Sequence, residues 1–181
     1  MKIKMKYKLM FLCFITLLGL SCKKDKKVKT DSLHSFNDLE SLDGWVQIPT
    51  LSNEKAHSGL CSSKMDINNP YSISFRKKLS SLSSKQLKRV EINAWVLITD
   101  PSAKGIMVCC IDSIPGATPM IYLTKTIDYK SEDINKWIKV TGEFYLPKNL
   151  NPDNSLLSYL WNTSPQGVIF ADDFELNLSE Y

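Results

Sequence analysis

Histidine and glycine are scarce in this chain of 181 residues, which contains two histidines and seven glycines. The sequence has no glycine-rich phosphate loop, no HExxH zinc motif and no GxSxG nucleophile motif. Because catalytic sites commonly depend on such residues and motifs, the sequence indicates a protein that is not an enzyme. A pair of carboxylates brought together by folding, as in a glycoside hydrolase, is invisible in the sequence and stays an open alternative.

The part of the chain expected to fold lacks an excess of positive charge. Residues 1–30 carry nine lysines and one acidic side chain, whereas residues 31–181 carry 14 basic and 18 acidic side chains. The formal net charge of +4 therefore originates in the N-terminal segment. It gives no argument for nucleic acid as a partner.

One long apolar run is present, Leu9 to Leu20, between a lysine-rich start and the pair Ser21-Cys22. This order of basic, apolar and small residues is typical of a secretory signal peptide. The run has about a dozen residues and a membrane span needs roughly 20, so a transmembrane helix is the weaker alternative.

The stretch LLGLSC resembles the lipobox of bacterial lipoprotein precursors, although Gly19 stands where that motif usually has leucine. The resemblance implies cleavage before Cys22, lipidation of Cys22 with fatty acids such as palmitate, and attachment to a membrane through that lipid. An ordinary cleaved signal peptide is the alternative.

These features divide the chain into three segments. They are a signal peptide over 1–21, the lipidated cysteine with a flexible lysine-rich tether over 22–32, and one folded domain over 33–181. Lys23 directly follows the cysteine, and no aspartate is there to suggest the inner-membrane retention known in some bacteria. We therefore expect a lipid-anchored protein of the bacterial outer membrane, with the periplasmic or surface leaflet left open.

The domain keeps three cysteines, which is an odd number: Cys61, Cys109 and Cys110. Neighbouring residues of a strand point to opposite faces, so Cys109 and Cys110 are poorly placed to bridge each other. We expect buried free thiols, with a disulfide at Cys61 as the open alternative.

Short runs rich in Val, Ile and aromatic residues recur between turn residues, roughly every 8–12 residues, which is typical of a β-sandwich or barrel. The predicted strands are 71–78, 88–98, 105–112, 119–127, 137–146, 156–162 and 167–178. Weaker strand candidates lie near 36–40, 45–48 and 60–65, and the one helical candidate is 80–89.

Alternation along these strands predicts which side chains face the core. In 88–98 one face carries Val90, Ile92, Ala94, Val96 and Ile98, and the other carries Glu91, Asn93, Trp95 and Leu97. In 167–178 we expect one face to contain Val168, Phe170, Phe174, Leu176 and Leu178, with Asp172 among them. A buried carboxylate needs a cation, a basic side chain or backbone donors.

Six short motifs then occur in order: FNDLE…GW (36–45), KAHSGLCSS (55–63), INAWV (92–96), WIKVTGEFYLP (137–147), YLWN (159–162) and IFADDFEL (169–176). Together they resemble carbohydrate-binding modules of the cellulose- and xylan-binding type, within the galactose-binding-like jelly rolls. The resemblance spans 33–178 and implies an all-β fold of two packed antiparallel sheets. It implies a non-catalytic module that binds poly- or oligosaccharide; the alternative is a structural or protein-interaction lipoprotein that has the fold without a sugar site.

The resemblance also implies a structural Ca²⁺ where the first strand, the AHSG turn and the last strand meet. The candidate ligands are Glu40, Asp172 and carbonyl groups near His57 and Ser58, since calcium prefers oxygen ligands. Alternatively, Asp172 accepts backbone amides or pairs with a lysine.

Sugar binding in this family relies on aromatic rings that stack on pyranose faces beside amides and acids. Trp95 is the best candidate because it shares the non-core face of its strand with Asn93 and Glu91. Tyr122 could extend this platform if its strand is adjacent. Tyr159 and Trp161 share a face, but the sequence does not say whether that face is inside; Trp45 and Trp137 are expected to be structural.

Overall fold

The computed structural model describes residues 33–41, 45–46, 50–164 and 166–181. The predicted signal peptide, Cys22 and the tether lie outside the described residues, and the predictions made for them are not tested by the structure. Every described residue belongs to one compact unit. No helix in the described ranges combines the length and the apolar composition needed to cross a bilayer.

The described residues form strands with two short helical turns. The strands are β1 (His34–Asn37), β2 (Trp45–Val46), β3 (Leu51–Ser52), β4 (Ser62–Met65), β5 (Ser74–Lys78), β6 (Leu87–Ile98), β7 (Gly105–Asp112), β8 (Ile121–Thr126), β9 (Trp137–Tyr145), β10 (Ser155–Asn162) and β11 (Ile169–Glu180). The turns are an α-helix, α1 (Leu79–Leu82), and a 3₁₀ helix (Ser131–Asp133). The helical candidate 80–89 is thus a single turn, and Leu87 already starts a long strand.

Two antiparallel sheets pack against each other as the predicted jelly-roll sandwich. The six-stranded sheet has the order β3-β4-β11-β6-β9, with β1 also paired to β11, and the five-stranded sheet has the order β2-β5-β10-β7-β8. The predicted alternation of β6 is confirmed, because its inward side chains, from Val90 to Ile98, are at most 2% exposed. An aromatic contact joins the sheets: the Trp45 ring lies 5.3 Å from that of Phe75 and 5.6 Å from that of Phe174.

The predicted face of 167–178 is wrong for the first half of β11. Ile169 and Ala171 pair with Ile98 and Val96 and belong to the core, whereas Asp172 pairs with the outward-facing Trp95. The pairing register shifts between Asp172 and Glu175, and Asp173 has a positive φ of 47°. This β-bulge inserts one residue and reverses the alternation. The inward set of β11 is therefore Ile169, Ala171, Phe174, Leu176 and Leu178.

The three cysteines of the domain are free thiols. Cys109 belongs to the core, and Cys110 is buried on the opposite side of β7. Burial raises the pKa of both thiols, that of Cys110 to about 11. Such thiols stay protonated at neutral pH and are poor nucleophiles.

Candidate functional site

The turn formed by residues 55–60 covers part of the outer face of the six-stranded sheet, and Asp172 holds it there. Oδ2 of Asp172 accepts the backbone N–H of His57 at 2.7 Å and that of Ser58 at 3.2 Å. Oδ1 accepts the N–H of Asp173 at 2.8 Å. Burial raises the pKa of the Asp172 carboxyl, while these amide donors act in the opposite direction. The buried carboxylate is thus satisfied by backbone donors.

Glu40 binds the other end of the same turn. Its Oε1 accepts the backbone N–H of Leu60 at 2.7 Å and that of Cys61 at 2.9 Å. Gly59, which precedes them, has a φ of +57°, and a Cβ at this position would collide with the Glu40 carboxyl group. Only glycine fits here without strain.

Glu40 and Asp172, the two predicted calcium ligands, therefore both meet the AHSG turn. Their oxygens suit calcium chemically, but their partners are N–H groups, which take the place of a cation. Within the described ranges no group of three or more His, Cys, Asp or Glu side chains is placed to hold a metal. The donors seen here are thus backbone amides, and the calcium prediction is not tested by the structure.

Trp95 lies under this turn. The His57 ring stacks on it, with centroids 4.0 Å apart and planes 13° apart, and meets the edge of Trp137 at 5.6 Å. His57 Nδ1 lies 2.5 Å from Asp173 Oδ2, and Ser58 Oγ donates to Asp173 Oδ1 at 2.6 Å. One face of the Trp95 ring is therefore occupied by a residue that is itself held in place.

Asn93 and Glu91 lie beside Trp95 on β6, as predicted, but their polar groups bind each other. The Asn93 amide nitrogen donates to Glu91 Oε1 at 3.0 Å, and Thr141 Oγ1 donates to Asn93 Oδ1 at 2.6 Å. The hydrogen bond from Asn93 lowers the pKa of Glu91. Asn93 is only 6% exposed, so it offers little surface to a ligand.

Tyr122 does not extend the Trp95 platform. It lies on β8, which pairs with β7 in the five-stranded sheet, whereas Trp95 lies on β6 in the other sheet. The adjacency on which the prediction depended is therefore absent, and the four predicted ligand-binding residues are divided between two sheets.

The outer face of the five-stranded sheet carries its own group of rings, here called the aromatic face: Tyr71, Tyr122, Tyr159 and Trp161. Leu156 and Leu160 of β10 are fully buried in the core, so alternation turns Tyr159 and Trp161 outward. The sequence did not show whether Tyr159 and Trp161 face the core, and the structure shows that they face outward. Tyr71 is not among the ligand-binding residues predicted from the sequence. It forms an isolated β-bridge with Trp161.

The rings of the aromatic face contact one another. Tyr71 meets Tyr159 at 5.7 Å in a T-shaped arrangement and Trp161 at 5.5 Å with planes 34° apart. Burial, followed by interaction with the Tyr122 side chain, raises the pKa of Tyr159, so Tyr122 lies close to this cluster. Tyr71 is 45% and Tyr122 47% exposed. The arrangement presents apolar ring surface together with phenolic hydroxyls.

No family model and no curated relative matches the chain. Solved structures match it at the level of the fold. The C-terminal family 22 carbohydrate-binding module of Clostridium thermocellum Xyn10B is 12% identical, with a TM-score of 0.53 over 82% of this chain and 94% of that one. The family 35 module of Cellvibrio japonicus Abf62 is 10% identical, with a TM-score of 0.52 over 81% and 96%.

A third similar structure is the first family 22 xylan-binding domain of Paenibacillus barcinonensis Xyn10C. It is 19% identical, with a TM-score of 0.50 over 81% of this chain and 94% of that one. At identities this low the likeness shows the fold alone. The domain is a two-sheet antiparallel jelly roll with the fold of carbohydrate-binding modules.

Proposed function

We propose that the domain is a non-catalytic module that binds poly- or oligosaccharide through the aromatic face. The observation that carries this proposal is the cluster of four aromatic residues on one outer sheet face, of which Tyr71 and Tyr122 are nearly half exposed. Rings of this kind stack on the apolar faces of sugar units while their polar ends bind hydroxyl groups. The shared fold with three carbohydrate-binding modules supports the proposal.

Binding to xylohexaose and to a panel of neutral and acidic polysaccharides tests this function. Titration calorimetry is expected to show binding by the wild type, with roughly tenfold weaker affinity after Tyr159→Ala or Trp161→Ala because each change removes a stacking surface. Absence of binding by the wild type across the panel would reject sugar recognition. The alternative of a structural or protein-interaction domain with this fold would then lead.

Trp95, with Asn93 and Glu91, stays a prediction for a ligand-binding role, and the same experiment addresses it. If Trp95→Ala removed binding while Trp161→Ala did not, the sugar site would lie on the six-stranded sheet. We favour the aromatic face because His57 covers one side of the Trp95 ring.

We also propose that the module is lipid-anchored through Cys22 in the bacterial envelope, on the outer membrane. The order of basic, apolar and small residues up to Cys22 supports this anchor. Labelling with a palmitate analogue is expected to mark the wild type but not Cys22→Ser, and the variant should leave the membrane fraction. A Cys22→Ser precursor that is processed and retained like the wild type would reject the anchor.

Calcium at Glu40 and Asp172 stays a prediction taken from the family resemblance. A melting temperature that rises with added Ca²⁺ and falls in excess chelator would support the ion. An unchanged melting temperature in both conditions would reject it and leave the amide donors as the partners of these carboxylates.

A further inference from the structure

The aromatic face is continued by an ion pair that spans three strands. Backbone pairing aligns one row across four strands: Arg76, Leu157, Cys110 and Tyr122. The next row contains Lys78, Ser155 and Asp112. Arg76 reaches across β10 from its own row to Asp112, and both terminal nitrogens of its guanidinium bind Oδ2, Nη1 at 2.8 Å. The pair therefore lies on the same outer face as Tyr122.

Asp112 is left with an unused acceptor. The residue is 2% exposed, and its Oδ1 has no hydrogen-bond partner among the described residues. A buried carboxylate oxygen without a donor is unfavourable, because it has lost water and gained nothing in return. Asp172, by contrast, has donors on both oxygens. The missing donor at Asp112 points to a group supplied from outside the chain.

The other buried polar atom without a partner in the described ranges is Trp45 Nε1. Its ring packs against Phe75 and Phe174 between the two sheets, away from the aromatic face. Arg76 differs because its side chain is 18% exposed. Within the part of the chain that the structure describes, only the Arg76–Asp112 pair combines an unused acceptor with a partly exposed partner on the side of the aromatic face.

Resting on the proposed function, we propose that Arg76 and Asp112 bind a hydroxyl group of a neutral sugar unit next to the aromatic cluster. A hydroxyl group both donates and accepts, so it can donate to Asp112 Oδ1 and accept from a guanidinium N–H. Because Oδ1 is closed to solvent, a hydroxyl group can reach it only when side chains beside Asp112 move. A uronic acid carboxylate can only accept, and it would meet the charge of Asp112. The pair thus selects neutral sugars over acidic ones.

The test compares xylohexaose with a xylo-oligosaccharide that carries a glucuronic acid branch. The double variant Arg76→Met/Asp112→Leu removes both charges and leaves neither unpaired, so the fold should persist. Its affinity for xylohexaose is expected to fall roughly tenfold, since hydrogen bonds to charged groups are lost. Lys78→Ala is the matched control. It removes a largely exposed charge from β5, the strand of Arg76, two residues further along, and should leave the affinity unchanged.

Three results would overturn the role of the pair while leaving sugar binding intact. The first is a double variant that binds like the wild type when Trp161→Ala has lost affinity. The second is a wild type that prefers the acidic branch and loses this preference in Arg76→Met. The third is read on the wild type itself: an Arg76 Nε–H resonance that does not shift at saturation with xylohexaose. If the wild type binds neither probe, it is the proposed function that fails for these sugars.

Discussion

Both outer faces of the sandwich carry tryptophan and other rings, but only on one, here called the covered face, does a turn lie over such a ring. On the six-stranded sheet the turn 55–60 lies over Asp172 and places the His57 ring 4.0 Å from that of Trp95. On the five-stranded sheet Tyr71 and Tyr122 are 45% and 47% exposed. Outward alternation alone therefore does not identify a binding ring; the segment packed above it decides.

The faces also differ in how completely their acids are satisfied. Asp172 and Glu40 receive five backbone N–H bonds between them, whereas Asp112 on the other face keeps one oxygen without a donor among the described residues. Saturated hydrogen bonding stabilises a structure, and unfilled bonding capacity is what a ligand can use. We therefore expect changes on the covered face to reduce stability and changes on the aromatic face to reduce binding.

Asp172→Ala gives the largest expected effect on this comparison. It leaves three partly buried backbone N–H groups without an acceptor and should lower the free energy of unfolding by about 3 kcal/mol. The melting temperature should fall by about 10 °C, as measured by circular dichroism. Asp128→Ala, at an exposed position, is the control and should change stability by less than about 0.5 kcal/mol. Equal effects of the two changes would contradict the special role of Asp172.

Trp95→Ala and Trp161→Ala form the second test, since each replaces a partly exposed tryptophan on an outer face. We expect Trp95→Ala to lower the free energy of unfolding by about 2 kcal/mol, because the stacked His57 loses its support. Affinity for xylohexaose should change less than about twofold. Trp161→Ala should show the opposite pattern, with roughly tenfold weaker binding. If instead Trp95→Ala weakened binding and Trp161→Ala reduced stability, the roles of the two faces would be the reverse of those proposed.

Gly59→Ala tests how tightly the turn fits against Glu40. Its positive φ and the collision of a Cβ with the Glu40 carboxyl should together cost about 2 kcal/mol in urea unfolding. Gly116→Ala separates the two causes, because Gly116 has a φ of +81° but open space around it. That variant should lose only about 1 kcal/mol. A Gly59 variant no worse than the Gly116 variant would mean that Glu40 does not hold the turn closely.

Asn93→Leu has the smallest expected effect and tests the polar network of the covered face. The pKa of Glu91, lowered first by its hydrogen bond from Asn93, should rise toward the ordinary glutamate value in a carboxyl NMR titration. A lowered pKa in the folded state means that Glu91 stabilises the fold above its unfolded pKa and loses this contribution as the pH falls through the folded one. The variant should therefore lose less stability on acidification than the wild type. If the pKa of Glu91 is the same in the variant and the wild type, the hydrogen bond from Asn93 is not what lowers it.

The strand positions could be predicted because alternation and turn residues are local properties of the sequence. The predicted strand 88–98 and β6 differ by one residue at the start, and 105–112 coincides with β7. The inward face of β6 followed from the same pattern. The sandwich architecture follows from the number and spacing of such strands.

The face of β11 and the membership of the sheets could not be predicted, for two physical reasons. One bulge at Asp172–Asp173 reverses alternation, and its positive φ leaves no clear trace in the residue types. Which strands become neighbours depends on contacts far apart in sequence, so alternation within a strand cannot show that Tyr122 and Trp95 lie in different sheets. Tyr71 begins the predicted strand 71–78, where alternation groups it with the core residues Ile73 and Phe75; in the structure it lies before β5, bridges to Trp161 and is exposed.

Strand β11 has a consequence for when the domain can fold. It hydrogen-bonds to β1, β4 and β6, yet it follows all of them along the chain. The six-stranded sheet therefore lacks its central strand until residues 169–180 have been synthesised. Pairings this distant in sequence are slow to form, so we expect this sheet to be completed only after most of the chain has been synthesised. If the protein is exported, as proposed, a channel that threads only unfolded polypeptide would receive the chain in the state that it requires, and the sandwich would form after passage.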